Sequence, residues 1–283
     1  MERLLCGASW KEWGLIMTFI ELLHQPSIII AMFQIIVLTS LLIRTVALIR
    51  INSRSMMPVF LSFGLISFLM SDLYWVAYVM IRLDTRMPFA ANEFGEGAAI
   101  LLFSAVLTST FQYPYSSCIK ETIFAVCFAA INAGLWIAWS GEWVDDIMTG
   151  VIFGYYILSC VRSLKRTEAL SKKEWRLLAL AGTALAGMQI LIFFIPPAYK
   201  IKLDICCYIV MFAGIGWFVI RVLRALRSDT DFDQGICLSF AACGWTLMSM
   251  YMSAVPMYYI CSVSVSVILI MMFYAIKRKV EAL

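Results

Sequence analysis

The chain has 283 residues, of which 63% are hydrophobic and only 14% are charged, and its formal net charge is +4. Ordinary soluble domains are about 45–50% apolar and about 25% charged, so this composition excludes a soluble fold. The small positive charge also argues against a nucleic-acid partner, because the basic residues stand in short clusters beside apolar runs. We therefore expect an integral membrane protein, surrounded by membrane lipids and located in the plasma membrane.

The first 26 residues predict a short amphipathic helix in the membrane interface. Apolar side chains recur there at helical spacing between Trp10 and Leu23, charged residues interrupt them, and Pro26 ends the pattern. A basic region followed by a clean apolar stretch and a small-residue cleavage site is missing from this segment, so we do not expect a removed signal peptide.

The rest of the chain predicts an all-α polytopic bundle that forms one membrane domain over residues 1–283. The apolar runs are ~20 residues long, which is the length of a membrane-spanning helix rather than of a barrel strand. About nine spans are expected, with eight as the alternative, because only the region around Pro256 separates the last two. The expected spans are 27–48, 57–81, 90–112, 119–139, 146–163, 176–196, 204–223, 235–254 and 256–276.

The basic clusters predict the orientation of these spans. With nine spans, most of the basic residues fall on one side of the membrane, which the positive-inside rule makes cytoplasmic. The N-terminus is then outside and the C-terminus cytoplasmic. The residues of this side are Arg44, Arg50, Arg54, Arg162, Lys165, Arg166, Lys172, Lys173, Arg176, Arg221, Arg224, Arg227, Lys277, Arg278 and Lys279.

Three carboxylates in the second and third spans are the strongest candidates for a functional site. Asp72 lies about nine residues, or ~13 Å, below the outer end of its helix, and Glu93 and Glu96 lie ~5 and ~10 Å below the same surface. Because the two spans form a hairpin, the three side chains can meet, with Trp75 on the same face as Asp72. Ionisable groups at this depth are costly and typically line a cavity or pair with a partner.

Further polar residues are expected at a similar depth. Gln34, Asn132 and Gln189 fall in the outer half of their spans, and Tyr155 and Tyr156 lie near the middle of the fifth. Together with Asp72 and Glu96 they predict a polar layer lining a cavity that opens outward. The alternative is that interhelical hydrogen bonds, worth ~0.6–2 kcal/mol each, account for these groups without a ligand.

The residue types limit what such a cavity binds. The nine cysteines form no CxxC pair and the chain has a single histidine, so we expect no cofactor and no metal site built from thiols and imidazoles. Carboxylates suit a hard cation such as Ca²⁺ or Mg²⁺, a proton relay or an amine-bearing solute, and the nearby aromatic rings favour a small cationic or zwitterionic solute.

One segment resembles a known family. The stretch from Gly64 to Asp72, Gly-Leu-Ile-Ser-Phe-Leu-Met-Ser-Asp, is similar to the intramembrane Asp segment of the lysoplasmalogenases, which are polytopic lipid hydrolases. The resemblance covers one span of nine. It implies a lipid hydrolase, although the sixth span has no second Ser-Asp segment of the kind that the family would carry.

Three functions remain open from the sequence. The first is a transporter or sensor for a small cationic or zwitterionic solute, and the second is the intramembrane lipid hydrolase. The third is a structural or accessory subunit that pairs its carboxylates internally. The sequence favours a non-enzymatic role, and it leaves open a homo-oligomer or a partner membrane subunit.

Overall fold

The computed structural model describes residues 25–52, 55–81, 91–111, 119–140, 143–228, 232–253 and 257–282. Within these ranges the chain forms nine α-helices and no β-strand, which confirms the predicted all-α bundle. The interfacial helix predicted over 1–26 lies almost entirely outside them. The helices are α1 Pro26–Ile51, α2 Met57–Ile81, α3 Ala91–Phe111, α4 Ile119–Ser140, α5 Trp143–Arg166, α6 Lys172–Ile192, α7 Pro197–Arg227, α8 Phe232–Tyr251 and α9 Met257–Ala282.

Eight of these helices are long and apolar enough to cross a membrane, and α8 is the exception. Its side chains are nevertheless buried almost throughout, from Gly235 to Met250. A helix enclosed by protein does not have to be apolar towards lipid, so serine, threonine and glycine are tolerated on α8. The lower hydropathy of α8 thus reflects its central position.

The other helices surround α8. Neighbouring pairs in contact run α1–α2, α2–α3, α3–α5, α5–α4, α4–α6, α6–α7, α7–α9 and α9–α1, and α8 itself packs against α5, α7 and α9. The contact between α4 and α6 is slight, and these two helices are mostly exposed on the outside of the bundle. Apolar side chains exposed there are those that a bilayer would cover.

The turn between α6 and α7 differs from the prediction. The sixth span was expected to run to residue 196, but α6 already ends at Ile192 and Pro197 is the first residue of α7. Proline suits the first position of a helix because its fixed φ is helical and the missing N–H has no intrahelical acceptor there. The seventh helix is therefore longer than the predicted span 204–223.

Small residues allow α4 and α5 to pack closely. A Cβ added at Gly150 would lie 2.9 Å from the Cβ of Ala133, and one added at Gly154 would lie 2.8 Å from the Cβ of Ala129. Gly150 and Gly154 are four residues apart, so they occupy one face of α5, as in the small-xxx-small contacts of membrane helices.

Large rings of neighbouring helices also lie directly on glycine backbone. The ring of Tyr156 covers Gly244 of α8, and its hydroxyl donates to the carbonyl of Phe240 over 2.7 Å. In the opposite sense, Trp245 of α8 covers Gly214 of α7, and its indole Nε1 donates to the carbonyl of Met211 over 3.0 Å. These contacts fix α8 against α5 and α7.

Ion pairs gather at one end of the bundle, which we call the basic end. Glu121 at the start of α4 pairs with Lys165 near the end of α5 at 2.7 Å. Glu174 at the start of α6 pairs with Arg221 near the end of α7 at 3.4 Å. Helix starts and helix ends meet there because successive helices run in opposite directions, as the predicted topology requires.

Candidate functional site

The closest helix pair carries the predicted carboxylates at the end opposite to the basic end. A Cβ added at Gly95 of α3 would lie 2.9 Å from the Cβ of Ser71 and 3.1 Å from the carbonyl oxygen of Ser67 on α2. Only glycine leaves room for this approach. Gly97, two residues further along α3, instead faces Ile152 of α5. The hairpin of α2 and α3 is therefore fixed at the depth of Asp72 and Glu96.

Glu96 is held by groups from two other helices. The Tyr251 hydroxyl at the end of α8 donates to Glu96 Oε2. Ser71 Oγ of α2 lies 3.5 Å from Glu96 Oε1, but it donates its one hydrogen to the Asn92 carbonyl over 2.7 Å. Among the described residues, Glu96 Oε1 thus has only a long contact, while Oε2 has a strong donor.

Asp72 has a different environment. Its Oδ2 is buried and has no hydrogen-bond partner among the residues that the structure describes. Glu96 is its charged neighbour. A buried carboxylate oxygen without a donor is costly, and an ionisable group at membrane depth usually marks a site or a pathway. Asp72 is therefore the most unusual polar group of the site.

Further groups from α3 and α9 complete the surroundings of the two carboxylates. Glu93 interacts electrostatically with Glu96 and with Tyr251. Tyr258, near the start of α9, interacts with both Glu96 and Asp72. The structure thus brings together the three predicted carboxylates, which we call the carboxylate cluster (Asp72, Glu93 and Glu96).

Aromatic rings extend from this cluster towards α4 and α5. The Tyr251 ring lies 5.6 Å from that of Phe153, edge to face, and 6.1 Å from that of Trp136. Trp136 Nε1 is buried and, within the described part of the chain, has no hydrogen-bond acceptor. The site therefore forms a row that runs from Asp72 through Glu96 and Tyr251 to Trp136. Within the described part of the chain, the acceptor Asp72 Oδ2 at one end has no donor, and the donor Trp136 Nε1 at the other end has no acceptor.

The remaining predicted site residues make other contacts. Gln34 is buried and accepts a hydrogen bond from Ser262 of α9 over 2.7 Å. Asn132 donates to the carbonyl of Phe128 in its own helix over 2.8 Å. Gln189 hydrogen-bonds with the thiol of Cys207 on α7. The contacts seen for these three residues stabilise helices and helix pairs.

The aromatic candidates are also distributed differently from the expectation. Tyr156 is fully buried with its hydroxyl on Phe240, whereas Tyr155 is 46% exposed on the outside of α5. Trp75 is partly buried on α2. The aromatic side chain that contacts Glu96 belongs to Tyr251, for which the sequence suggested only packing or anchoring.

Three residues of the site were not predicted: Ser71, Tyr251 and Trp136. A signal existed for Tyr251, because the end of α8 and the start of α3 lie at the same side of the membrane in a nine-span topology. Trp136 carried no signal of its own.

A metal site is also not indicated, since no group of three His, Cys, Asp or Glu side chains in the described ranges is placed to hold an ion.

Comparisons with known proteins do not add to this geometry. No protein-family model matches the chain, and searches of curated proteins and of solved structures found no similar protein. The resemblance of the segment Gly64 to Asp72 to lysoplasmalogenases is therefore not supported by these comparisons. What the protein does has to be inferred from the site itself.

Proposed function

We propose that this multi-span membrane protein binds a small ammonium-bearing solute, cationic or zwitterionic, at the carboxylate cluster. The observation that carries the proposal is the buried Asp72 Oδ2, which has no donor among the described residues although Glu96 stands beside it. A charged donor from outside the protein would satisfy this oxygen and the poorly served Glu96 Oε1 together.

Electrostatics favour a positively charged occupant. Neighbouring carboxylates in a low-dielectric site repel each other and do not all ionise without a counter-charge. In the empty protein a proton bound to one of the carboxyl groups removes this repulsion. An ammonium group binds by displacing the proton, so that solute binding and proton release are coupled.

The aromatic side chains suit the same class of solute. Tyrosine and tryptophan faces attract alkylammonium groups when they lie within about 6 Å of the cation. Tyr251 stands between Glu96 and Trp136, so it can contact a bound ammonium group directly. The free indole N–H of Trp136 would serve the anionic group of a zwitterion.

The direction of access follows from the position of the cluster. It lies at the end of the bundle opposite to the basic end, and the positive-inside rule places the basic end in the cytoplasm. The solute would therefore arrive from outside the plasma membrane, as for a receptor or a transporter.

Binding is tested on the purified full chain in detergent with three probes whose ammonium groups carry N–H donors, namely methylammonium, ethanolammonium and glycine. We expect at least one of them to raise the melting temperature of the wild type, and Asp72→Asn to remove this response. Glu121→Gln is the matched control, since Glu121 is a paired carboxylate at the basic end. It should respond like the wild type.

The pH dependence provides a second check. Because protons compete for the carboxylates, affinity for the probe should fall on acidification in the wild type. A probe response that survives in Asp72→Asn would contradict the proposal. Hydrolysis of a lysoplasmalogen by the wild type but not by Asp72→Asn would favour the membrane enzyme instead.

A further inference from the structure

The outer face of the α6–α7 pair at the basic end combines exposed basic and exposed apolar side chains. Lys173 and Arg224 are both exposed, and neither forms an ion pair or hydrogen bond with another residue in the described ranges. Between the two helices, Arg221 and Glu174 pair at 3.4 Å and so neutralise each other. The face therefore keeps two positive charges without a partner in the described chain.

Helical geometry places these two charges on one side of the pair. Glu174 of α6 and Arg221 of α7 face each other, and each residue turns a helix by about 100°. Lys173 then lies about 100° to one side of Glu174, and Arg224 lies about 60° to one side of Arg221. Because the helices are antiparallel, these two rotations bring both side chains to the same face.

The same face continues into apolar side chains further from the basic end. Leu177 and Leu180 of α6 are 55% and 66% exposed, and Ile220 of α7 is 51% exposed. The rotation of about 100° per residue places these three side chains on the same face as Lys173 and Arg224. Positive charge at the end of a spanning helix, next to exposed apolar side chains, matches a phosphate with acyl chains attached.

We infer that this face is a binding site for an anionic phospholipid, whose phosphate lies between Lys173 and Arg224 and whose acyl chains lie over Leu177, Leu180 and Ile220. Charge complementarity identifies the headgroup, since basic side chains at the membrane surface attract anionic lipids. The site is separate from the carboxylate cluster, at the other end of the bundle.

The test uses native mass spectrometry of the full chain with phosphatidylglycerol and with phosphatidylcholine of the same acyl chains. The double variant Lys173→Ala, Arg224→Ala should lose affinity for phosphatidylglycerol about tenfold or more and bind phosphatidylcholine as before. The matched control is Arg44→Ala, Arg50→Ala, which removes two exposed basic residues from α1, a helix that packs against α2 and α9. It should keep the wild-type affinity.

Two results would overturn the inference. Equal losses in the double variant and in its control would show unspecific attraction to the whole basic end. Displacement of phosphatidylglycerol by millimolar inorganic phosphate would show a site for free phosphate, to which Leu177, Leu180 and Ile220 contribute nothing. The exchanged side chains are exposed, so both variants should fold, and gel filtration checks this.

Discussion

Tyr251 at the end of the central helix α8 donates a hydrogen bond to Glu96 in the second turn of α3, across 155 positions of sequence. This bond joins the middle of the bundle to the α2–α3 hairpin, and it serves only one of the two Glu96 oxygens. The same tyrosine ring lies against Phe153 and Trp136. Tyr251 is thus both a structural link and one wall of the proposed site.

We predict that Tyr251→Phe lowers the free energy of unfolding by about 1–3 kcal/mol, because a carboxylate at membrane depth loses the one strong donor that the described residues give it. The melting temperature of the purified protein measures the change. Glu96→Leu tests the bond from its other side, since leucine has no acceptor for the hydroxyl. The double variant should be more stable than the sum of the two single effects predicts. Additive effects would contradict a bond between these two groups.

Asp72→Asn should have the opposite effect on the empty protein. Its Oδ2 lacks a donor in the described structure, so replacing the carboxyl with a neutral amide removes an unfavourable group. We expect a gain of about 0.5–2 kcal/mol, as is common when a residue kept for function is exchanged, together with loss of the response to ammonium probes. A lower melting temperature would instead indicate that Asp72 is paired within the protein, as a structural subunit requires.

Much of the fold was predictable because the lipid environment restricts the length and the composition of a spanning helix. Every helix in the bilayer needs ~20 apolar residues, so the apolar runs gave the number of helices and most of their limits. The limits of the helices beside Pro196 and Pro197 were harder to predict, since proline ends one helix and begins the next equally well. The composition of α8 did not indicate its central position, because it is typical of a span with low hydropathy.

The site was predictable only as far as neighbours in the chain determine it. Asp72, Glu93 and Glu96 lie on one hairpin, and the rise per residue was enough to bring them to one depth. Tyr251 and Trp136 arrive from α8 and α4, and hydrophobic periodicity does not say which helices are adjacent. For the same reason, Gln34 and Gln189 were expected at a common cavity, whereas their observed partners are Ser262 and Cys207.

Gly95→Ala should separate α2 from α3 at the level of the carboxylates. The added methyl group would lie 3.1 Å from the carbonyl oxygen of Ser67, a backbone atom that a side-chain rotation does not move. Overpacking of this kind costs about 1–3 kcal/mol, visible as a lower melting temperature. Gly182→Ala is the control, because nothing lies within 4 Å of its added Cβ. There the better helix propensity of alanine should stabilise the protein by up to about 1 kcal/mol.

The orientation is tested by single cysteines in a cysteine-free background. Lys172→Cys lies at the basic end and should react with a membrane-impermeant maleimide only after the membrane is opened. Tyr199, which is 58% exposed near the start of α7, lies at the opposite end, so Tyr199→Cys should react in intact cells. The reverse pattern would place the basic end outside and overturn the assignment from the positive-inside rule.

Access to the carboxylate cluster is tested in the same background with Asp72→Cys. If the cluster binds a solute that arrives from outside, water reaches this position and the thiol reacts in intact cells, more slowly than Tyr199→Cys. A saturating ammonium probe has lost its Asp72 partner in this variant, so it should not protect the thiol. Leu65, which is buried two turns closer to the basic end of α2, provides the control, and Leu65→Cys should stay unlabelled. Equal absence of labelling at both positions would contradict an open path and would favour a closed structural core.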